Sequence, residues 1–166
     1  MNETILEKMV LGEIAGKNKA IHAYDEIAWK IRTGFLTLLF GGWGVFLRST
    51  IDAKLPQQEF RAVLISLALF SAGFAYAAWS IDRSYLRRKF RVILVLDQIS
   101  VALAESGGDV TRVSPDLLRV AGDDALKPYD CLGFRDARRT ELKVYLVPVL
   151  IVGVALVFVV MLHTRS

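Results

Sequence analysis

The chain has 166 residues, 54% of them hydrophobic, with 21 Lys and Arg against 17 Asp and Glu and a net charge of +4. Soluble domains average about 45–50% apolar on a count that includes glycine, so the excess here points away from an ordinary soluble domain. One cysteine, Cys131, excludes an internal disulfide and a cysteine-cluster zinc site, and His22 and His163 are too few and too far apart to hold a metal.

Charge is segregated rather than scarce. Blocks without any charged residue alternate with segments crowded with them, which is the pattern of a membrane protein. The first 30 residues carry Glu and Lys throughout and contain no apolar core, so a cleavable signal peptide is not expected.

In chain order, residues 3–30 read as an amphipathic helix. Ile5, Met9, Ile14, Ile21, Tyr24, Ile27 and Ile31 recur mostly at three-, four- and seven-residue steps, with one step of five. Gly12, Gly16 and Asn18 lower helix propensity and offer a place to break it. No proline interrupts it, so it can also run straight into the next segment. Packing on a second cytoplasmic helix is the expected fate of its apolar face, with a position on the lipid surface as the alternative.

Residues 33–47 are uncharged between Arg32 and Arg48, and Ser49 to Ile51 can lengthen the helix, giving a first span at about 33–50. A re-entrant or buried helix competes with that reading, because spans usually need about 17–25 residues. Residues 62–81 are uncharged between Arg61 and Asp82, and residues 144–162 between Lys143 and His163. At 1.5 Å per residue, each covers a hydrocarbon core of roughly 30 Å. Pro148 should kink the third span.

Residues 83–105 read as a continuation of span 2, with Gly107 and Gly108 beyond them; the VILVL run at 92–96 is compatible with a buried strand as well. Asp97 and Gln98 interrupt its apolar face, as a solvent-facing pair or an intersubunit contact. Residues 106–112 read as a loop. Ser114-Pro115-Asp116 looks like a helix start, with Ser as N-cap and Pro at N1, ending at Gly122. Residues 122–134 are rich in turn formers, and 135–143 form a polar helical entry into span 3.

The expected fold is therefore an all-α integral membrane protein with three transmembrane helices, an N-terminal amphipathic helix and a helical cytoplasmic region between spans 2 and 3. Its segments are 1–32 (cytoplasmic helix), 33–81 (transmembrane hairpin), 82–143 (cytoplasmic helical region), 144–162 (third span) and 163–166 (external tail). Five basic residues lie in 1–32, three in 48–61, twelve in 82–143 and one, Arg165, in the tail. Basic residues mark the cytoplasmic side. The N-terminus and 82–143 are thus expected inside and the C-terminus outside, across a bacterial inner membrane. Arg83, Arg87, Arg88, Lys89 and Arg91 follow span 2 at once and weigh most in that orientation. The same distribution accounts for the net positive charge without invoking direct nucleic-acid binding.

No nucleophile elbow, Walker loop, zinc-protease motif or Cys-x-x-Cys occurs. The Gly122-Asp123-Asp124 run reads as a turn. No catalytic residue, metal ligand or cofactor is expected, and the chain does not read as an enzyme. No Asp, Glu, Lys, Arg or His lies inside any span, which argues against an ion-coupled transporter but leaves a channel open.

Two stripes of small residues stand out. Thr33, Thr37, Gly41 and Gly44 share one face of span 1, and Ala68, Ser71, Ala75 and Ala78, continued by Asp82, share one face of span 2. Small residues let membrane helices approach closely, so these eight are candidates for helix packing within one subunit, an oligomeric interface or a pore wall. Trp43 at mid-span either fills a gap beside Gly41, Gly42 and Gly44 or shows that span 1 sits off-centre. Span 3, rich in Val and Leu, reads as lipid-facing.

The stretch AYDEIAWKIRTGFLTLLFGGWGVFL (23–47) and the span-2 exit AAWSIDRSYLRRKFRVILVL (77–96) resemble small bacterial membrane proteins of the SLATT type. The resemblance is architectural and covers about residues 20–105; the third span departs from the two-span pattern. It implies an antiviral effector that is held quiet with a sensing partner and then permeabilises the inner membrane. The partners expected are the lipid bilayer, further copies of the chain and, as a candidate, a cytoplasmic signalling or sensor protein. A non-pore anchor or scaffold that recruits a cytoplasmic complex is the alternative, and a phage-type holin is disfavoured by the long charged segment.

Overall fold

The computed structural model describes residues 3–52, 56–113 and 132–163. They form three long helices, α1 (Glu3–Asp52), α2 (Gln57–Glu105) and α3 (Leu132–His163), and a short 3-10 helix at Val110–Arg112. No strand occurs among the described residues. The 92–96 run is helical, part of α2, and the all-helical expectation holds. The 3-10 helix occupies ground expected to be loop. The proposed helix start at Ser114 and residues 122–131 of the 122–134 turn region, Cys131 among them, lie outside the described residues; Leu132–Phe134, read as turn, open α3 instead.

The N-terminal segment does not break. Gly12, Gly16 and Asn18 sit within α1, which is continuous into the 33–50 segment. A glycine costs a helix about 1 kcal/mol, which is small against what one packed apolar face contributes. Proline is the residue that stops a helix outright, and α1 contains none. Helix α2 begins just after Pro56, where the Phe60 amide donates to the Pro56 carbonyl at 2.9 Å, and Glu59 places an acid in its first turn.

The end of α2 is closed by a glycine cap. Gly107 has φ +66°, its amide donates to the Ala104 carbonyl at 3.3 Å, and the Gly108 amide donates to the Leu103 carbonyl at 2.8 Å. These two bonds are the paired closures of a Schellman motif, which needs a left-handed residue where Gly107 stands. Asp109 then caps the 3-10 helix, accepting from the Thr111 amide at 2.9 Å and the Thr111 hydroxyl at 2.6 Å. Those bonds favour the carboxylate and hold Asp109 below its ordinary pKa. In α3, Pro148 lies inside the helix without ending it.

The chain divides into two compact units, one of residues 1–28 and 84–138, the other of residues 29–83 and 139–166. In the first, Val10, Ile99 and Val113 form a small buried core, with Ile14, Val95, Leu103 and Val110 packed against it. This is the expected packing of the N-terminal helix on the α2 extension. Lys89 donates to Asp25, the Tyr24 and Tyr85 rings lie 6.3 Å apart, and Phe90 meets the buried Phe134 edge to face at 5.5 Å. Asp97 and Gln98 are exposed.

The second unit is a three-helix bundle. Phe35, Leu39 and Trp43 of α1, four residues apart, face Leu64, Ala75 and Ala78 of α2 and Tyr145, Val152 and Leu156 of α3. Its outer surface is apolar too: Leu38, Val45, Leu69, Phe70, Leu150 and Phe158 are all more than half exposed. The bundle is thus apolar on its outer faces as well as in its core. Two helices, α2 and α3, are long and apolar enough to cross a membrane; α1 is not one of them.

Candidate functional site

Each helix of the three-helix bundle places a polar or charged side chain in one cluster. Arg32 stands where the uncharged run of α1 begins, Asp82 where that of α2 ends, and Glu141 and Tyr145 where that of α3 begins. The helices thus converge on a cluster at one boundary of their apolar segments.

Asp82 is its centre, with no exposed surface. Arg32 Nε donates to Asp82 Oδ2 at 2.7 Å, and Arg32 Nη2 to Oδ1 at 3.4 Å. The Tyr145 hydroxyl donates to the same Oδ2 at 2.9 Å. A carboxylate without water must be paired and hydrogen-bonded to stay buried, and Asp82 accepts from two other helices. Burial alone pulls the Arg32 guanidinium down, but the bond to Asp82 and the field of that carboxylate outweigh it, so Arg32 is held above its ordinary pKa. Glu141 is buried as well and adds its negative field at Arg32. The Tyr145 ring is fixed by Phe35, with centroids 5.0 Å apart.

A second polar contact lies deeper in the same bundle. Trp43 is buried, and its Nε1 donates to Ser71 Oγ at 2.8 Å. Ser71 in turn donates to the Leu67 carbonyl at 2.8 Å. Trp43 turns into the bundle against α2, away from the exposed Gly41, Gly42 and Gly44, beside which the sequence reading puts a gap. A groove of about 220 Å³ remains beside it between α1 and α2. Another, of about 230 Å³, runs between α2 and α3.

The two small-residue stripes have different fates. Ser71, Ala75 and Ala78 are buried and Ala68 half-buried, all on the inner face of α2. Thr33, Thr37, Gly41 and Gly44 are exposed, because the face that α1 turns inward carries Phe35, Leu39 and Trp43 instead. Span 3 is not wholly outward-facing: Tyr145, Val152 and Leu156 enter the core. Among the orienting residues, Lys89 is engaged by Asp25, Arg83 lies over the Trp79 ring at 5.0 Å, and Arg88 over Tyr85 at 5.7 Å. Arg87 and Arg91 are half-buried.

Arg32, Glu141 and Tyr145 were not legible as site residues. Asp82 had one signal: it continues the Ser71, Ala75, Ala78 stripe by four residues, and a carboxylate on a buried stripe needs a cation. Nothing in the sequence names Arg32 over the five basic residues that follow span 2. No group of three or more metal-ligating side chains occurs among the described residues. The ion pair and the donor phenol of the cluster tie α1 and α3 to Asp82 of α2.

Comparison with protein-family models, curated proteins and solved structures finds no match.

Proposed function

We propose that the chain is a three-span bacterial inner-membrane protein that acts as a homo-oligomeric, membrane-perturbing effector controlled through its cytoplasmic helices. The observation that carries this reading is the face of α1 bearing Thr33, Thr37, Gly41 and Gly44. It is exposed in the single chain, it is made of small residues, and it lies within an apolar helix bundle. Small residues on a lipid-side face allow close approach of another helix, and a second copy supplies one. The 33–50 segment of α1 then crosses the membrane with α2 and α3, although it is the least apolar of the three. Residues 1–32 and 82–143 lie in the cytoplasm, the C-terminus in the periplasm. The SLATT-type resemblance agrees with an effector in antiviral defence.

The test is membrane potential in cells during controlled expression, followed with a voltage-sensitive dye. Depolarisation by the wild-type chain, lost in Gly41→Leu at equal membrane level, supports the effector. A potential unchanged by expression, with growth unaffected, counts against it.

One observation favours a second reading, an anchor or scaffold for a cytoplasmic complex. The unit of residues 1–28 and 84–138 has its own core around Val10, Ile99 and Val113. A scaffold predicts a stable partner bound through 83–143 and no conductance from the purified protein.

A further inference from the structure

The groove between α2 and α3 is walled by apolar side chains, including Ala72, Tyr76 and Trp79 of α2 and Leu142, Leu146 and Val149 of α3. At about 230 Å³ it is smaller than the roughly 300–1,000 Å³ of a pocket that encloses a whole small molecule. An extended hydrocarbon segment lying along an open groove fits it better.

The charges at its end choose the occupant. On α2, Ala72, Tyr76, Trp79 and Arg83 follow at steps of four, three and four, and the Arg83 guanidinium lies over the Trp79 ring at 5.0 Å. On α3, Val149, Leu146, Leu142 and Arg139 follow at three, four and three in the opposite chain direction, and Arg139 is exposed. Both groove walls therefore run into an arginine at the same boundary of the apolar segments. Lys143, also exposed, stands one turn from Arg139. Trp79 Nε1 adds a buried donor that has no acceptor among the described residues.

We propose that this groove holds one anionic phospholipid of the cytoplasmic leaflet. One acyl chain lies against Ala72, Trp79 and Leu146, and the phosphate is bound by Arg139 with Arg83. Guanidinium groups bind phosphate through two parallel donors, and a ring stacked beneath Arg83 holds that group in place. Basic residues near any membrane attract acidic lipid without a site. The groove makes a further demand, that chain and headgroup bind together. The inference rests on the membrane-spanning reading above.

The test uses the full-length protein with Trp29→Phe and Trp43→Phe, which leaves Trp79 as its one tryptophan. It is reconstituted in vesicles of unlabelled phosphatidylcholine containing a minor fraction of brominated phosphatidylglycerol or, separately, brominated phosphatidylcholine. Trp79 fluorescence is expected to be quenched several-fold more strongly by the brominated phosphatidylglycerol at equal mole fraction. Ala72→Phe, which fills the groove, and Arg139→Gln, an exposed change, should each bring the two lipids to parity. Equal quenching by both lipids in the parent overturns the site while leaving the membrane reading intact. So does a preference that survives Ala72→Phe, since diffuse attraction then explains it. Quenching by neither lipid overturns the membrane reading and the site with it.

Discussion

Arg32 and Asp82, fifty residues apart, meet through two hydrogen bonds, of 2.7 and 3.4 Å, that tie α1 to α2. The two ends of this pair are not equivalent. The Arg32 side chain is 30% exposed and that of Asp82 not at all. Deleting one partner of a buried pair costs about 3–5 kcal/mol, because the other charge is left uncompensated. Arg32→Gln strands a carboxylate that cannot reach water, so its cost should lie in that range. Asp82→Asn strands a guanidinium that can reach water, and its cost should be clearly smaller. Thermal unfolding of both variants in detergent, followed by helical circular dichroism, checks the order. Equal losses would mean that Asp82 is not the dry end of the pair.

Tyr145 ties the third helix to the same oxygen at 2.9 Å. Tyr145→Phe removes that donor and keeps the ring beside Phe35. A hydrogen bond to a charged group contributes about 1.5–3 kcal/mol, so Tyr145→Phe should destabilise by about that much, less than Arg32→Gln. Because both act on Asp82, the losses should not add. In Arg32→Gln with Asp82→Asn already in place, a double-mutant cycle should show strong coupling, and the Tyr145→Phe cost should shrink in the Asp82→Asn background. Additive losses would separate the phenol from the ion pair.

How far the sequence foretold this arrangement depends on what each feature rests on. Uncharged run lengths and the absence of proline are local properties, and they gave a helix over 62–105 and the entry into α3 through 135–143; the actual starts at Gln57 and Leu132 fall in stretches read as link and turns. Gly107 and Gly108 marked the end of α2 for the same reason, since a left-handed cap needs glycine. The Ser71, Ala75 and Ala78 stripe was readable as a packing face because small residues at helical spacing admit a neighbour. The choice of neighbour was not readable. Trp43 to Ser71, Arg32 to Asp82 and Asp82 to Tyr145 join different helices, and pairings across helices depend on rotation and axial offset, which helical period alone leaves open. The same gap hid the face of α1 that turns inward: Phe35, Leu39 and Trp43 repeat as regularly as the small residues beside them.

Ser71 accepts from Trp43 and donates to the Leu67 carbonyl, so the two ends of the Trp43–Ser71 bond respond differently. Ser71→Ala leaves a buried indole donor without an acceptor, a state that costs about 1–3 kcal/mol. Hydrogen bonds between membrane helices average nearer 0.6 kcal/mol, so a loss at about the lower end of that range is expected. Trp43→Phe removes the donor and leaves Ser71 bonded to Leu67, and its cost should come from lost volume. Refilling with Trp43→Tyr should then recover little of it. Unfolding midpoints of the three variants in one detergent test this, and a Ser71→Ala protein as stable as wild type would show that the bond contributes nothing.

Gly41 and Ala75 were both candidates for close helix approach, and they now predict opposite outcomes. A Cβ at Gly41 meets no atom within 4 Å, and the residue is exposed. Leucine there also removes a glycine penalty of about 1 kcal/mol within a helix. Gly41→Leu should therefore leave the stability of the single chain unchanged or raised. Ala75 is 8% exposed within the three-helix core, where extra methylenes force side chains off their preferred rotamers at about 1–3 kcal/mol. Ala75→Leu should lower the unfolding temperature whatever the oligomeric state. Crosslinking in membranes completes the comparison: if copies meet through the α1 face, Gly41→Leu abolishes the crosslinked species at full stability. Loss of crosslinking only alongside unfolding, as with Ala75→Leu, would remove the α1 face from the interface and leave the scaffold reading as the stronger one.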